Sequence, residues 1–423
     1  PVFQMGVLDQ GFWPDGIYTA PTDEALRFDV EFTKKLGLNM SRKHVKVEPA
    51  RWYYWCDKLG VLVWQDMPSG DRGIGPKDAD LKRTKASAAI YELELRRMMD
   101  AFHNYPSIIG WVIFNEGWGQ FDTARLADWT KKHDPSRLVD SASGWTDRKV
   151  GDVHDVHVYP GPGSPAPEEK RAAFLGEFGG LGLGIDGHTW SGQTWGYRGT
   201  SDKADLTRKY ERLLRGVYEQ EKTHGLSGAV YTQLTDVETE ANGLITYDRA
   251  VIKVDLKRVA AANRGDFSAV PTVTVVVPTS QKEAQTWRYT FERPAKDWYA
   301  ADFAADGWKE GKGGFGTKGT PGAVIGTEWS GKQIWIRRTF ELPKVDAANL
   351  ALLVHHDEDA EIYLNGVLAA KLPDHTRDYE EASIRPEALK TLKAGKNTIA
   401  IHCRQTRGGQ YIDAGLVEVK PAK

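Results

Sequence analysis

Two periodicities divide this chain. Through its first 264 residues, short apolar runs alternate with longer stretches in which apolar side chains recur every three or four positions. The first pattern suits strands buried on both faces and the second suits amphipathic helices. The predicted strands are Val2–Leu8, Leu38–Met40, Val61–Gln65, Ile108–Phe114, Leu138–Ser141, Val153–Tyr159, Ala172–Gly176 and Leu226–Thr232. The first predicted helix has Thr22 as its N-cap, acidic Asp23 and Glu24 in its opening turn, and Gly37 as its stop. Further helices are expected over Pro49–Leu59, Ala86–His103, Phe121–His133, Asp202–Thr223 and Arg249–Asn263. Strands alternating with helices over this length predict an α/β fold, a (β/α)8 TIM barrel at residues 1–264. A doubly wound open sheet is the structural rival, but no glycine-rich phosphate-binding turn follows the first strand.

Around Gly265–Pro271 the pattern changes to short alternating strands separated by turn residues. Expected strands are Gln333–Leu342, Leu350–His356, Glu361–Leu364, Val367–Leu372, Asn397–Cys403 and Gly415–Val419. Asn365-Gly366 between two of them is a strong hairpin signal, because both positions tolerate positive φ. Residues 271–423 therefore read as an all-β sandwich or jelly-roll domain. The connection Gly265–Ala269 is short, so residues Val273–Val419 are expected to pack against the barrel rather than hang free. The run His355-His356-Asp357-Glu358-Asp359 resembles a metal cluster at first sight. On a strand, though, neighbours face opposite sides, so strand-end charge is the better reading and no metal is expected.

Composition narrows the function. A net charge of −2 gives no reason to expect nucleic acid or an anionic membrane surface as partner. No apolar run reaches membrane-spanning length. The two cysteines, Cys56 and Cys403, fall in different predicted domains, so no disulfide framework is implied. Fifteen tryptophans are a surplus that flat sugar faces or core packing could absorb.

The chemistry concentrates at two strand ends. Ile108–Phe114 stops abruptly at Asn115-Glu116, followed by Gly117, Trp118 and Gly119. Ala172–Gly176 stops at Glu177, again with glycines behind it. One such glutamate would be an ordinary loop carboxylate, whereas two at the same edge of a barrel are what glycoside hydrolysis requires.

With the Asn115-Glu116 pair, the Gly-Glu-Phe-Gly turn at Glu177, Arg42 near strand two and His157-Val158-Tyr159 after strand six, the chain resembles glycoside hydrolase family 2, the β-galactosidase and β-glucuronidase family. The resemblance covers roughly Pro1 to Asn263. The stretches GVLDQGFWPDGIYTAPTDEA and YTQLTDVETEANGLITYDR look typical of a bacterial branch. HHDEDAEIYLNGV and GGQYIDAGL resemble the jelly-roll sugar-binding-type domains that usually precede the barrel; here they follow it. The chain starts at Pro1, directly in apparent structure, which points to a trimmed N-terminus. A bacterial periplasmic or secreted setting is the expectation.

The resemblance implies that Glu177 is the nucleophile and Glu116 the acid/base, with no cofactor. Arg42 would be the charge partner that keeps Glu177 ionised, and Tyr159 a donor to the same carboxylate. Asn115 would hold the sugar 2-hydroxyl. His157 is grouped with the substrate-binding residues, against the competing reading of a supporting histidine. For Arg42 the competing reading is a structural ion pair with another strand-end acid. Trp13, Trp118, Trp190 and Trp195 are candidates for the apolar faces of sugars, and so is Tyr197 in the same glycine-rich loop. Asp9 is a candidate for hydroxyl contacts, and Asp66 and Glu238 occupy similar strand-end positions. The expected function is an exo-acting retaining β-glycosidase acting on a glycoside or oligosaccharide, β-galactoside first and β-glucuronide second. The alternatives are a non-catalytic carbohydrate-binding protein and an endo-acting glycanase of the same clan.

Overall fold

The computed structural model describes residues 2–268, 271–344 and 346–420. The chain divides into two compact units, Pro1–Ser268 and Ala269–Lys423.

The first unit is a parallel β/α barrel. Its strands are β1 (Gln4–Asp9), β2 (Met40–Lys43), β3 (Leu62–Asp66), β4 (Ile108–Val112), β5 (Leu138–Asp140), β6 (Val153–Val158), β7 (Ala172–Gly179) and β8 (Gly228–Thr232). They form one eight-stranded sheet in the order β5-β4-β3-β2-β1-β8-β7-β6. At the seam between its first and last members, Asp152 N–H donates to the Val139 carbonyl at 2.8 Å. The interior is filled, not hollow. Leu8, Met40, Trp64, Val112, Val153, Phe174 and Val230 form one buried cluster, with Trp64 and Phe174 stacked at 4.1 Å. That plug closes the barrel below its carboxyl-terminal edge and leaves the upper ends of the strands to carry chemistry.

Local rules account for the helices. In α1 (Asp23–Lys35) the Thr22 hydroxyl accepts from Ala25 N–H, with Asp23 and Glu24 in the first turn. Helices α2 (Ala50–Leu59), α3 (Lys85–Phe102) and α4 (Thr123–His133) follow β2, β3 and β4. Helix α5 (Lys203–His224) is capped by the Asp202 side chain and ended by Gly225 in the left-handed conformation.

Two expectations, on the last helix and on two strand ends, are corrected here. The closing helix α6 spans only Leu256–Ala262, because Arg249 takes positive φ and the loop side chains up to Lys253 are held by bonds of their own. No helix among the described residues joins β5 to β6 or β6 to β7; glycine- and proline-rich segments do so. Strands β2 and β7 also run further than their apolar cores suggest, so Arg42 and Glu177 lie within strands and not beyond them. Backbone pairing with neighbouring strands carries the polar positions along.

The second unit is a β-sandwich. One sheet has Tyr411–Lys420 paired with Leu350–Asp357 and Thr272–Val277. The other has Gln333–Leu342 paired with Gly395–Arg404 across ten residues, with Asp359–Leu364 on its far side. A buried core including Trp287, Trp329, Ile336, Leu352, Ile401 and Leu416 draws on both sheets. Asn365 and Gly366 both take positive φ in the hairpin, as their residue types allow. The His355-to-Asp359 run is split between two strands, and His356 Nδ1 meets the Glu358 carbonyl at 2.7 Å.

Candidate active site

Arg42 is the centre of the arrangement at the strand ends, and it is fully buried. Its Nε and Nη2 donate to the two oxygens of Asp66, each at 3.0 Å. Nη2 also donates to Asn115 Oδ1 at 2.8 Å. Nη1 donates to the Gly176 carbonyl at 3.2 Å and to Glu177 Oε1 at 3.3 Å. Strands β2, β3 and β7 and the turn after β4 are thus pinned by one guanidinium, whose planar fork suits several acceptors at once. Both readings of Arg42 meet here, since it is ion-paired to a strand-end acid and also touches Glu177.

Glu177 is nearly buried and held by donors on both oxygens. Tyr159 donates to Oε2 at 2.6 Å, and His157 Nδ1 lies 3.5 Å from the same atom. Burial alone would raise its pKa, but His157, His44, Arg42 and the Tyr159 hydrogen bond outweigh it and hold the carboxyl below its usual range. The glycine before it is there for space: a Cβ on Gly176 would lie 2.0 Å from Asp155 Oδ2.

Glu116 is reached through a different backbone. It has φ +52°, a conformation costly for a residue with a side chain and concentrated at functional sites. Its N–H donates to the Ser143 carbonyl at 2.9 Å, which anchors the turn. Its carboxylate meets His157 Nδ1 at 2.9 Å and is more exposed than that of Glu177. One ligand oxygen of Glu116, one of Glu177 and a ring nitrogen of His157 all lie within 4.8 Å of one another.

His157 links the two carboxylates. Its Nε2 is 2.8 Å from Ser143 Oγ, which itself donates to Asp155 Oδ2. Nε2 thus faces Ser143 Oγ, with Arg42 Nη1 a further 3.4 Å neighbour, while Nδ1 faces the glutamates. Burial and the Arg42 charge would lower the His157 pKa, but Glu177, the Glu116 hydrogen bond and Asp155 together raise it. A cation would compete with this arrangement, since the Arg42 guanidinium already approaches Glu177. The other His/acid group of similar geometry, Asp147, His154 and Glu168, is occupied by Arg171, at 2.7 Å from Asp147 and 2.6 Å from Glu168.

Of the other sequence-predicted residues, Asn115 sits in this cluster with its amide nitrogen left for a further acceptor. Asp9 is buried and engaged by Lys43 at 2.7 Å. Trp13 is buried beneath the Arg249 guanidinium at 3.8 Å. Asp9 Oδ1 and Trp13 Nε1 are nonetheless buried without a hydrogen-bond partner among the described residues. Trp118 is exposed and lies over Gly73. Trp190 is exposed and meets Tyr247 edge-on. Trp195 is exposed and meets Tyr197 edge-on at 5.5 Å, and Tyr197 stacks on Tyr159 at 3.7 Å.

Sequence reasoning missed His44, which is 3.0 Å from Asp66 Oδ2 and 3.8 Å from Glu177 Oε1. Its place two residues after Arg42, on the same side of the strand, was the available signal. Ser143, Asp155 and Thr232, the last 2.7 Å from the Tyr159 hydroxyl, carried no signal of their own. Glu238 is exposed, whereas Glu240 two residues later is partly buried.

A family model described as the TIM barrel domain of family 2 glycosyl hydrolases matches residues 20–171, which span β2 to β6 and include Glu116. Over that stretch the chain is similar to the barrel domain of glycoside hydrolase family 2. Among curated relatives, the β-galactosidase of Klebsiella pneumoniae is 28% identical over 125 residues, 30% of this chain and 12% of that protein. That of Pectobacterium atrosepticum is 30% identical over 133 residues, 31% of this chain and 12% of the relative. The chain thus spans about an eighth of those relatives in the matched region. Among solved structures, the FMN-binding β-glucuronidase of Facaelibacterium prausnitzii L2-6 shares 15% identity at a TM-score of 0.47, over 91% of this chain and 53% of that one. The β-galacturonidase of Eisenbergiella tayi shares 18% identity at a TM-score of 0.47, over 62% of this chain and 51% of that one.

Proposed function

We propose that the barrel is an exo-acting, retaining β-glycosidase, with Glu177 as nucleophile and Glu116 as acid/base. In the first step a Glu177 oxygen bonds to the anomeric carbon. The bond to the leaving oxygen breaks, and that oxygen takes the proton of Glu116. In the second step Glu116 takes a proton from water, the water oxygen attacks the anomeric carbon, and Glu177 is released. Two inversions give net retention.

The observation that carries this reading is the pair of carboxylates with oxygens within 4.8 Å, one of them ringed by donors. Retaining enzymes place their carboxyls about 5–5.5 Å apart, and inverting ones leave room for a water at roughly 6.5–9.5 Å. Tyr159, Arg42 and His157 stabilise Glu177 as the carboxylate that attacks. Asn115, fixed by Arg42 through its oxygen, can turn its amide to the sugar 2-hydroxyl. The stacked Tyr197 and neighbouring Trp195 narrow the approach, which suits removal of a terminal sugar. Relatives named as β-galactosidases make a β-galactoside the first substrate to test.

The test is a panel of aryl β-glycosides assayed beside polymeric substrates, with the first product followed by NMR. Turnover of short glycosides with a β first product supports the proposal. An α first product, or activity confined to polymers, overturns it.

A further inference from the structure

The segment after β8 carries an acid that the mechanism leaves unused. β8 ends at Thr232, beside the Tyr159 hydroxyl. The chain then turns so that Glu240 forms a backbone bridge with Trp195. Trp195 meets Tyr197, and Tyr197 stacks on Tyr159. Glu240 is therefore tied from two directions to the residue that binds the nucleophile.

A row of amides sets the Glu240 side chain. Gln10 Nε2 donates to Gln233 Oε1, Gln233 Nε2 to Asn242 Oδ1, and Asn242 Nδ2 to Glu240 Oε1, at 2.9, 2.9 and 2.8 Å. Because the Asn242 oxygen is already used, only its amine can face Glu240. The carboxylate is fixed through Oε1, and among the described residues Oε2 has no hydrogen-bond partner. Burial and the nearby Glu177 charge raise the Glu240 pKa against the Asn242 hydrogen bond and the His44 charge, so this acid and the nucleophile feel each other.

The neighbouring cations are already engaged. Arg42 serves Asp66 and Glu177. Lys43 holds Asp9, and Lys46 holds Glu48. Lys253 is 2.6 Å from Asp236, and Arg249 is 2.9 Å from Asp29. His44, which also acts on Glu240, is likewise engaged, 3.0 Å from Asp66.

We propose that Glu240 is a specificity-determining residue: its open oxygen accepts a glycone hydroxyl, and its charge excludes glycones that carry a carboxylate. The substrate is then a neutral sugar and not a uronide. The inference rests on the glycosidase reading and adds the class of glycone. Like charges brought together at a recognition site are an effective means of rejecting a wrong partner.

The experiment compares the full chain with Glu240→Gln and Glu240→Ala. Aryl β-galactoside, β-glucoside and β-glucuronide are assayed, and a neutral iminosugar and its C6-carboxylate counterpart are titrated by calorimetry. Wild type is expected to favour the neutral glycosides by at least about 100-fold in kcat/KM. Glu240→Gln, which keeps shape and removes charge, should narrow that ratio at least about tenfold and raise KM for the neutral sugar, with trapping of Glu177 by a 2-fluoro glycoside retained. A wild type that prefers the uronide, or variants with an unchanged ratio, overturns the inference alone. Absence of turnover on every glycoside overturns the glycosidase reading, and the iminosugar pair then decides for or against Glu240. Binding of neither iminosugar overturns both.

Discussion

Tyr159 donates its phenolic hydrogen to Glu177 Oε2 at 2.6 Å. The bond fixes the orientation of the carboxylate and keeps it ionised. Hydrogen bonds to charged groups contribute about 1.5–3 kcal/mol. Tyr159→Phe keeps the ring that stacks on Tyr197, so its expected effect is a fall in kcat of roughly 10- to 100-fold with little change in melting temperature. Unaltered steady-state kinetics would remove Tyr159 from the mechanism.

The two glutamates separate by leaving group. Glu177→Ala should abolish turnover, with azide restoring it as the glycosyl azide of inverted configuration. Glu116→Ala should slow substrates with poor leaving groups far more than activated aryl glycosides, because only the former need a proton. Equal losses on both substrate types would contradict the assignment.

His157 gives a pH signature. Its pKa is raised in the folded chain above the ordinary 6.5 by Glu177, Glu116 and Asp155, against burial and the Arg42 charge. A raised pKa contributes stability that is complete below pH 6.5 and is lost as pH rises through the folded value. The melting-temperature advantage of wild type over His157→Gln should therefore shrink on the alkaline side of 6.5. An advantage that grows with pH would mean the imidazole is neutral in this network.

Much of this was legible in the chain because barrel strands announce themselves as apolar runs, and because Glu116 and Glu177 interrupt such runs beside glycine. Both strands extend past the apolar signal, which is why Arg42 and Glu177 lie within them. The unread part is relational. Asp66 reads as a loop acid until the register sets Arg42 against Trp64 and Lys43 against Gln65, which brings Asp66 level with His44. The Ser143 side chain matters through His157 on β6, and Asp155 through the Ser143 hydroxyl and the Gly176 N–H. Helices were over-predicted near Arg249 because an ion pair to Asp29 and a left-handed turn outweigh local propensity.

The Tyr197 stack makes a prediction about affinity. Tyr197 and Tyr159 lie nearly parallel, with rings 6° apart in tilt, and such pairs contribute about 0.5–1.5 kcal/mol beyond burial. Tyr197→Ala should raise KM and lower kcat modestly, since it frees the ring that aims the Tyr159 hydroxyl. Tyr197→Phe should behave as wild type. A large loss in the phenylalanine variant would show that the hydroxyl, and not the stack, is what matters.

The last test concerns Asp66, the acid that takes two of Arg42's bonds. The pair is buried, and removing one partner of such a pair costs about 3–5 kcal/mol, because the other charge stays in place without compensation. Asp66→Ala should therefore lower stability by that order. Asp66 is itself held below its ordinary 3.8 by Arg42 and His44 against burial, so its contribution is present above that pH and disappears as pH falls through the folded value. Asp66→Asn keeps the shape and removes only the charge, and it adds a diagnostic. Arg42 then directs more of its field at Glu177, and the negative neighbour that opposed ionisation of Glu177 is gone. Both changes favour the Glu177 carboxylate, so the acid limb of kcat/KM should move to lower pH. At the same time kcat should fall, because a better-stabilised carboxylate is a poorer nucleophile. Movement of that limb to higher pH would mean that Asp66 acts mainly by positioning Arg42, and that Arg42 leaves Glu177 when its acid partner is neutralised.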